Sequence, residues 1–298
     1  MKTLDLKVGY SCNNNCKHCV IGSKRHAFKD RSTNEIKEIM EWGRGVGCDR
    51  LVLTGGELTI RKDCAELLGH ARSLGYSLNF QTNGRALSYK GFAGEVLAAA
   101  GKDITVVIAL LSSDPDCHNY LTSANSFLQT LQGIRNMVEA GVQEVSINTV
   151  VTKSNYRTFP RHATLLSKIG VHATQYAFVH VLGNALDNIH SILPRKKIVA
   201  PYIMRALDVL VRHGVTARCE AMTYCLMRGY ENHISEAFIS DTVIADLGIS
   251  ILDFTSVRQV EEKAKGKLCP GCIHFEKCEG PWRQYPEMFG WDEFVPVG

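Results

Sequence analysis

Short apolar runs alternate with amphipathic stretches from residue 4 to about residue 180. LDLKVGY (4–10), RLVLT (50–54), YSLNFQT (76–82), ITVVIALL (104–111), VSINTVVT (145–152) and ATQYAFVH (173–180) read as strands. Between them NEIKEIMEWGRGVG, KDCAELLGHARSLG, residues 89–100, SFLQTLQGIRNMVEAG and NYRTFPRHATLLSKIG carry helical spacing, and several close on Gly, as helix C-termini do. Apolar strands separated by helices predict parallel pairing, crossover helices and burial on both faces. Six such units predict an α/β fold, a partial (β/α)6 barrel of the TIM type, with function gathered where the strands end. A longer helix is expected over about 195–213. The pattern then changes: ISDTVIADLGISILDF (239–254) reads as a hairpin, and the last residues are rich in aromatics. Residues 1–213 are therefore expected to form the barrel and 214–298 a small cysteine-rich unit packed against it.

Composition narrows this picture. The 298 residues are 45% hydrophobic and 21% charged, ample for a core, and no run approaches the roughly 20 apolar residues of a membrane span. The opening MKTLDLKVGY lacks the apolar region of a secretory signal, so a cytoplasmic location without a membrane partner is expected. The net charge of +4 includes small basic clusters at 23–26 and 194–197. With no aromatics interleaved, these read as solvated faces rather than nucleic-acid sites.

Eleven cysteines are many for a reducing compartment, where clustered thiols bind metal more often than they form disulfides. Cys48, Cys64 and Cys117 stand alone and are expected to act as small side chains. Cys12, Cys16 and Cys19 form Cys-x3-Cys-x2-Cys directly after the first strand. A structural zinc takes four ligands, and His18, between two of the thiols, would have to turn back on its own loop to be the fourth. A cubane has four irons, so three thiolates leave one of them open.

At this point the chain resembles a family, the radical S-adenosylmethionine (SAM) enzymes, whose cluster motif CNNNCKHC is similar to. The resemblance implies a [4Fe-4S] cluster whose open iron chelates SAM. It also implies one-electron cleavage of SAM to methionine and a 5′-deoxyadenosyl radical that takes hydrogen from a substrate. LTGGELT (53–59) resembles the family's Gly-Gly-Glu motif. Gly55 and Gly56 would allow close approach to SAM, and Glu57 would offset its ammonium, with Leu58 where the family often has Pro. QTNG (81–84) brings Thr82 and Asn83 to the third strand end. Ser112, after the fourth, would face the SAM ribose or methionine. Asn148, on the fifth, would lie near the methionyl carboxylate or ribose, and Gly183 of VLGNA, after the sixth, would approach the adenine.

KLCPGCIHFEKCEGPW, with Cys269, Cys272 and Cys278, resembles the auxiliary-cluster domains called SPASM and twitch. The full SPASM pattern continues with further cysteines, but Trp282 stands where the next is due and none follows. With Cys219 and Cys225 upstream, five thiols fall short of the eight that two clusters need. The resemblance thus implies one auxiliary [4Fe-4S] cluster, its fourth ligand being Cys219 or Cys225; a structural zinc is the alternative. Trp282, Tyr285, Phe289, Trp291 and Phe294 are expected to pack a core or lid the barrel mouth.

The family likeness implies peptide or protein maturation by oxidation, cross-linking or epimerisation, driven by an external flavodoxin-like or ferredoxin-like electron donor. Because the first strand begins near residue 4, no separate leader-recognition domain is expected before it, and this leaves modification of a small molecule as the alternative. A non-catalytic iron-sulfur electron carrier is a remote rival, since a carrier needs no SAM pocket. No catalytic side chain is assigned.

Overall fold

The computed structural model describes residues 1–298, the side chain of Ser23 excepted. Its strands are β1 (Thr3–Lys7), β2 (Arg50–Thr54), β3 (Ser77–Thr82), β4 (Thr105–Ala109), β5 (Glu144–Val151), β6 (Ala173–Phe178), β7 (Thr216–Glu220), β8 (Thr242–Asp246) and β9 (Ile249–Ile251). The crossovers carry α1 (Thr33–Gly45), α2 (Cys64–Ser73), α3 (Lys90–Ala100), α4 (Pro115–Thr122), α5 (Phe127–Glu139) and α6 (Phe159–Ile169). After β6 come two single turns, α7 (Asn184–Asp187) and α8 (Ile189–Ile192), and then the long α9 (Lys196–Arg212); α10 (Phe254–Val257) and α11 (Gln284–Phe289) lie near the C-terminus.

Local chemistry sets the helix ends. Ser32 and Glu35 form a reciprocal capping box at the start of α1. Asp114 caps α4 with Pro115 in its first turn, and Gly170 ends α6 in the left-handed region.

One sheet holds all nine strands in the order β7-β6-β5-β4-β3-β2-β1-β8-β9. Every neighbouring pair is parallel except β8 and β9, the expected hairpin. The six predicted strands are all present. The C-terminal region adds β7 beside β6 and β8 beside β1, extending both flanks of the same sheet.

Alternate residues face the helices: Leu4 and Leu6, Leu51 and Leu53, Val106 and Ile108, Val145 and Ile147 are fully buried against apolar faces such as Ile36 and Met40 of α1 and Ile134 and Met137 of α5. The opposite face departs from the expectation of burial on both sides. Lys7, Asn148 and Gln175 point there and are only partly buried, and Gln81 is exposed. No pairing joins β7 to β9 among the described residues, so the concave face remains an open groove with polar walls. Cys48 and Cys64 are buried in the core as small side chains, while Cys117 is half-buried.

The C-terminal unit packs through aromatics and a buried ion network. Trp282 stacks on His180 with ring centroids 4.1 Å apart, and Tyr285 packs edge-on to Phe178. The stripe is therefore core packing. Lys263, 1% exposed, meets Glu236 and, at 3.1 Å, Glu279, which Arg258 also grips with bonds of 2.9 and 2.8 Å. Burial alone would raise the Glu279 carboxyl, but Arg258 and Lys263 hold it down to about 2.

Lys263→Ala leaves the buried Glu236 carboxylate without its cation and Glu279 with Arg258 alone, and is expected to destabilise the chain by about 3–5 kcal/mol. Urea unfolding measures it; a midpoint unchanged from the parent would mean that the network carries no stability.

Candidate functional site

The loop after β1 carries the three front thiols, and neighbouring strand-end loops stitch it in place through backbone groups. The Gly56 and Glu57 amides donate to the Gly9 and Ser11 carbonyls at 2.7 and 2.8 Å. The loops run so close that a Cβ on Gly56 would collide with the Ser11 carbonyl, and one on Gly55, at φ +126°, with that of Gly9. From the far side the Asn184 amide donates to the Cys19 carbonyl at 2.9 Å, and the Asn184 side-chain amide to that of Cys16 at 2.9 Å. Gly183, at φ +54°, lies against the Cys19 and Val20 carbonyls where no side chain fits.

Glu57 is 3% exposed. Its Oε1 accepts from the Thr59 amide at 3.0 Å and from the Thr59 and Thr82 hydroxyls, both at 2.7 Å; its Oε2 accepts from the Asn83 amide at 2.6 Å. The carboxylate thereby joins the β2 and β3 loops. The Asn83 side-chain amide donates to Asn13 at 2.6 Å, and Arg85 donates to the Asn13 carbonyl at 2.5 Å and to Asn14 Oδ1 at 3.0 Å. The motif reading missed Arg85, although it lies directly after QTNG.

These loops enclose an open cleft of about 1210 Å³ at the C-terminal ends of the strands. Cys12, Cys16, Cys19, Gly55, Gly56, Glu57, Thr82, Asn83 and Asn148 all line it. Asn148 Oδ1 is buried there without a partner among the described residues, which suits a site that receives a polar ligand. Two expected residues lie elsewhere. Ser112 is fully buried, its hydroxyl accepting from the Asp114 amide at 3.0 Å and lying 3.2 Å from Thr158 Oγ1, and it does not border the cleft. Gly183 braces the cysteine loop from outside the cleft lining.

Burial pushes the Cys16 thiol up to about 12, with Cys19 and Cys12 adding to the shift, so a metal ion bound there would have to displace its proton. Burial likewise pushes His18 down to about 4, and its Nδ1 has no partner among the described residues. That imidazole is neutral.

At the other end of the C-terminal unit, Cys225, Cys269, Cys272 and Cys278 share one enclosed apolar pocket of about 410 Å³, walled by Tyr224, Phe275, Trp291 and Phe294. Cys219 sits instead on β7, fully buried in the core beside Tyr176. Burial raises the Cys225 thiol and the Thr223 hydroxyl opposes it, while Cys278, Cys272 and Cys269 add to the rise, so the four thiols feel one another. The sulfurs also have donors: the Gly266 amide to Cys269 at 3.2 Å and the Val297 amide to Cys272 at 3.4 Å. Backbone donors of this kind stabilise iron-sulfur thiolates.

Among the described residues no three His, Cys, Asp or Glu are gathered as tightly as a single metal ion requires. Four thiols around one apolar pocket, with backbone N–H donors to two of the sulfurs, are a donor set a cubane can take, one thiolate on each iron.

β7 leads from the barrel to this pocket. Glu220, at its end, accepts from Gln175 at 2.5 Å, and burial, then the nearby Glu236, pushes its carboxyl up to about 7. The next residue, Ala221, holds φ +56°, a strained value for a residue with a side chain. Its amide donates to Glu236 at 2.8 Å and its carbonyl accepts from the buried Lys196 ammonium. This pinned corner aims the chain toward Cys225.

Comparison with known proteins agrees with this geometry. The sequence pattern described as the Radical SAM superfamily matches residues 6–166. The mycofactocin maturase MftC of Mycolicibacterium smegmatis is 22% identical, over 93% of this chain and 76% of MftC. A protein of Saccharolobus solfataricus named as a probable GTP 3′,8-cyclase is 27% identical over 61% of this chain and 58% of its own length. Among solved structures, Streptococcus suis SuiB bound to S-adenosylmethionine superposes with a TM-score of 0.69 at 14% identity, covering 99% of this chain and 76% of SuiB. SuiB bound to its precursor peptide SuiA gives 0.66 at 15% identity, over 89% and 62%. These likenesses show the partial-barrel fold.

Glu57→Ala leaves four donors without their acceptor and is expected to destabilise the chain by roughly 2–4 kcal/mol. Hydrogen exchange at the Asn83 amide should quicken alongside; protection equal to the parent's would show that the carboxylate does not hold the two loops together.

Proposed function

The chain belongs to the radical SAM superfamily, and from that premise we propose that it is a peptide maturase, taking hydrogen from a peptide held between the front cleft and the rear thiol pocket. The observation that carries the site assignment is the meeting of Cys12, Cys16 and Cys19 with Gly55, Gly56, Glu57, Thr82, Asn83 and Asn148 on one cleft. The chain is an enzyme that uses a [4Fe-4S] cluster and SAM. When bound, these supply one-electron cleavage of SAM to methionine and a 5′-deoxyadenosyl radical.

In this reading the three thiolates hold the cluster and leave one iron for SAM. Glu57 Oε2 and the orphaned Asn148 oxygen would be the acceptors for the SAM ammonium and hydroxyls. The buried leucine layer behind the strands keeps solvent from the back of the cleft. Residues 214–298 hold an auxiliary [4Fe-4S] cluster on Cys225, Cys269, Cys272 and Cys278, on the side of the sheet that Glu220 and Ala221 lead to. The peptide reading is supported by MftC, a maturase aligned along 93% of this chain, and by a fold shared with SuiB, solved with a precursor peptide. Among the described residues no helix is long and apolar enough to cross a membrane.

Reduced with dithionite and given SAM, the reconstituted protein is expected to release 5′-deoxyadenosine, and Cys16→Ala to release none; equal release from both would remove the front thiols from the chemistry. Iron analysis separates the two upstream cysteines. Cys225→Ala should fall from about eight irons per chain to about four, and Cys219→Ala should keep about eight. The reverse pattern would overturn the rear assignment.

A further inference from the structure

The concave face between the two groups of thiols carries a carboxyl with one oxygen to spare. Glu220 ends β7 and faces the groove, partly buried. Its Oε2 accepts from Gln175 Nε2 at 2.5 Å, while its Oε1 has no partner among the described residues and stays accessible. Gln175 is in register with Asn148, which lines the front cleft, so β7 stands two strands, roughly 10 Å, from that wall. In the other direction the corner at Ala221 leads to Tyr224 and Cys225, which line the rear pocket. Glu220 thus stands on the stretch of groove between the two sites. Behind it Gln175 Oε1 accepts from Ser235 at 3.1 Å, and both residues line an open cavity of about 1070 Å³ at the opposite ends of the strands. Water there lies one side chain from the carboxyl.

The charges around Glu220 are Glu236, Lys263, Arg258 and Glu279. All four are committed to one another or to the backbone: Glu236 Oε1 takes the Lys263 ammonium and the Ala221 amide, and Arg258 and Lys263 hold Glu279. Farther along the groove Lys7 pairs with Asp5 at 2.8 Å, and Arg218 lies over the Phe238 ring. Burial and then Glu236 raise Glu220 to about 7 against Lys263 and Arg258, while the same two cations hold Glu279 down to about 2. Neighbouring carboxyls driven apart in this way take different roles. Glu279 remains an anion that supports the fold, and Glu220 can gain and lose a proton near neutrality. What the cleft lacks is a donor of hydrogen atoms. Cys12, Cys16 and Cys19 hold the cluster, no other thiol and no tyrosine lines the cleft among the described residues, and Cys117 donates to the Ser154 carbonyl at 3.4 Å.

We propose that Glu220 accepts the proton that the substrate releases once its hydrogen atom has been taken, which makes the net reaction an oxidation of the peptide, as a new double bond or a cross-link, rather than an epimerisation. The assignment rests on the peptide-maturase reading above and narrows it. Atoms and electrons balance. One C–H bond breaks to the 5′-deoxyadenosyl radical; a neighbouring N–H, O–H or C–H bond of the peptide gives its proton to Glu220 Oε1; the electron left behind passes to the rear cluster as the new bond forms. The peptide loses two hydrogens in all, and the proton leaves Glu220 for water. Epimerisation has the opposite requirement, a hydrogen atom delivered to the substrate radical, for which the cleft holds no free thiol. The carboxyl must be ionised to act, so oxidation is favoured above the Glu220 titration and lost below it.

The test uses reconstituted holoenzyme, dithionite and SAM, with a pool of synthetic peptides presenting every amino acid as the probe. Mass spectrometry reads modified peptide formed per 5′-deoxyadenosine released, for the parent, Glu220→Gln and Glu220→Asp, on both sides of neutrality and again in D2O. The parent is expected to give product lighter by two hydrogens, without solvent deuterium on carbon, in a ratio that rises through pH about 7. Glu220→Gln should lower that ratio at least about tenfold and flatten its pH dependence, and Glu220→Asp should restore part of both. The parental ratio and pH profile in Glu220→Gln would overturn the proposal. So would product that has lost no hydrogens and carries one solvent deuterium on carbon, the mark of epimerisation. Infrared difference spectra between parent and Glu220→Gln need no peptide: a carboxyl band that vanishes near pH 7 is expected, and a Glu220 already ionised in acid would overturn the proposal. Should the parent release 5′-deoxyadenosine but alter no peptide, the peptide reading fails, and the infrared titration alone then decides whether Glu220 is the proton acceptor of the groove.

Discussion

Two backbone hydrogen bonds, from the Gly56 and Glu57 amides to the Gly9 and Ser11 carbonyls, fix where three thiols stand relative to the rest of the barrel. A loop of consecutive polar residues such as Ser11 to Asn15 has no apolar side chains with which to anchor itself. Its position is therefore set by backbone partners, and those exist only because residues 55 and 56 lack side chains. Glu57 carries the same constraint onward to Thr82 and Asn83, and Arg85 closes the circuit at Asn13 and Asn14. Three of the side chains expected to meet a cofactor, those of Glu57, Thr82 and Asn83, are thus also parts of one hydrogen-bonded frame.

The C-terminal unit takes part in that frame. Tyr10 donates to Asp246 at the end of β8 at 2.6 Å, and Arg31 bridges the Asp246 and Lys7 carbonyls at 2.6 and 3.1 Å. On the opposite flank β7 runs from the barrel into the corner at Ala221 and on to Cys225. The rear unit is therefore attached to the sheet at both flanks, beside the front loop and beside the rear pocket. A substrate between the two sites would be held by walls that share one backbone network, which favours the fixed spacing that hydrogen transfer needs.

Much of the fold was legible because the outer strand faces are strongly apolar: Leu51, Leu53, Val106, Ile108, Val145 and Ile147 announce their strands in any window. β7 was not legible. Its sequence TARCE has only Ala217 and Cys219 on the apolar face, while Arg218 and Glu220 point into the groove, so short-range hydropathy gives it no signal. α4 was hidden likewise by polar composition. At the site, the three front thiols and the Gly-Gly-Glu loop could be recognised from their resemblance to a family's motifs. That Cys225 rather than Cys219 shares the rear pocket could not, because it depends on a corner at Ala221, 48 residues before Cys269, and on Lys196 and Glu236, which pin that corner from elsewhere in the chain. Ser112 looked like a ligand at a strand end, yet it turned out to anchor the start of α4. A loop hydroxyl has local backbone partners always within reach, so its motif position alone cannot say which way it faces.

The central claim is that the front loop holds a cluster with one iron left for SAM. The direct measurement is the electron paramagnetic resonance spectrum of the reduced Cys225→Ala, Cys269→Ala, Cys272→Ala, Cys278→Ala protein, in which only the front site contributes. Adding SAM should shift its g-values, because the sulfonium compound becomes a ligand of the open iron. A spectrum that SAM leaves unchanged would contradict the account.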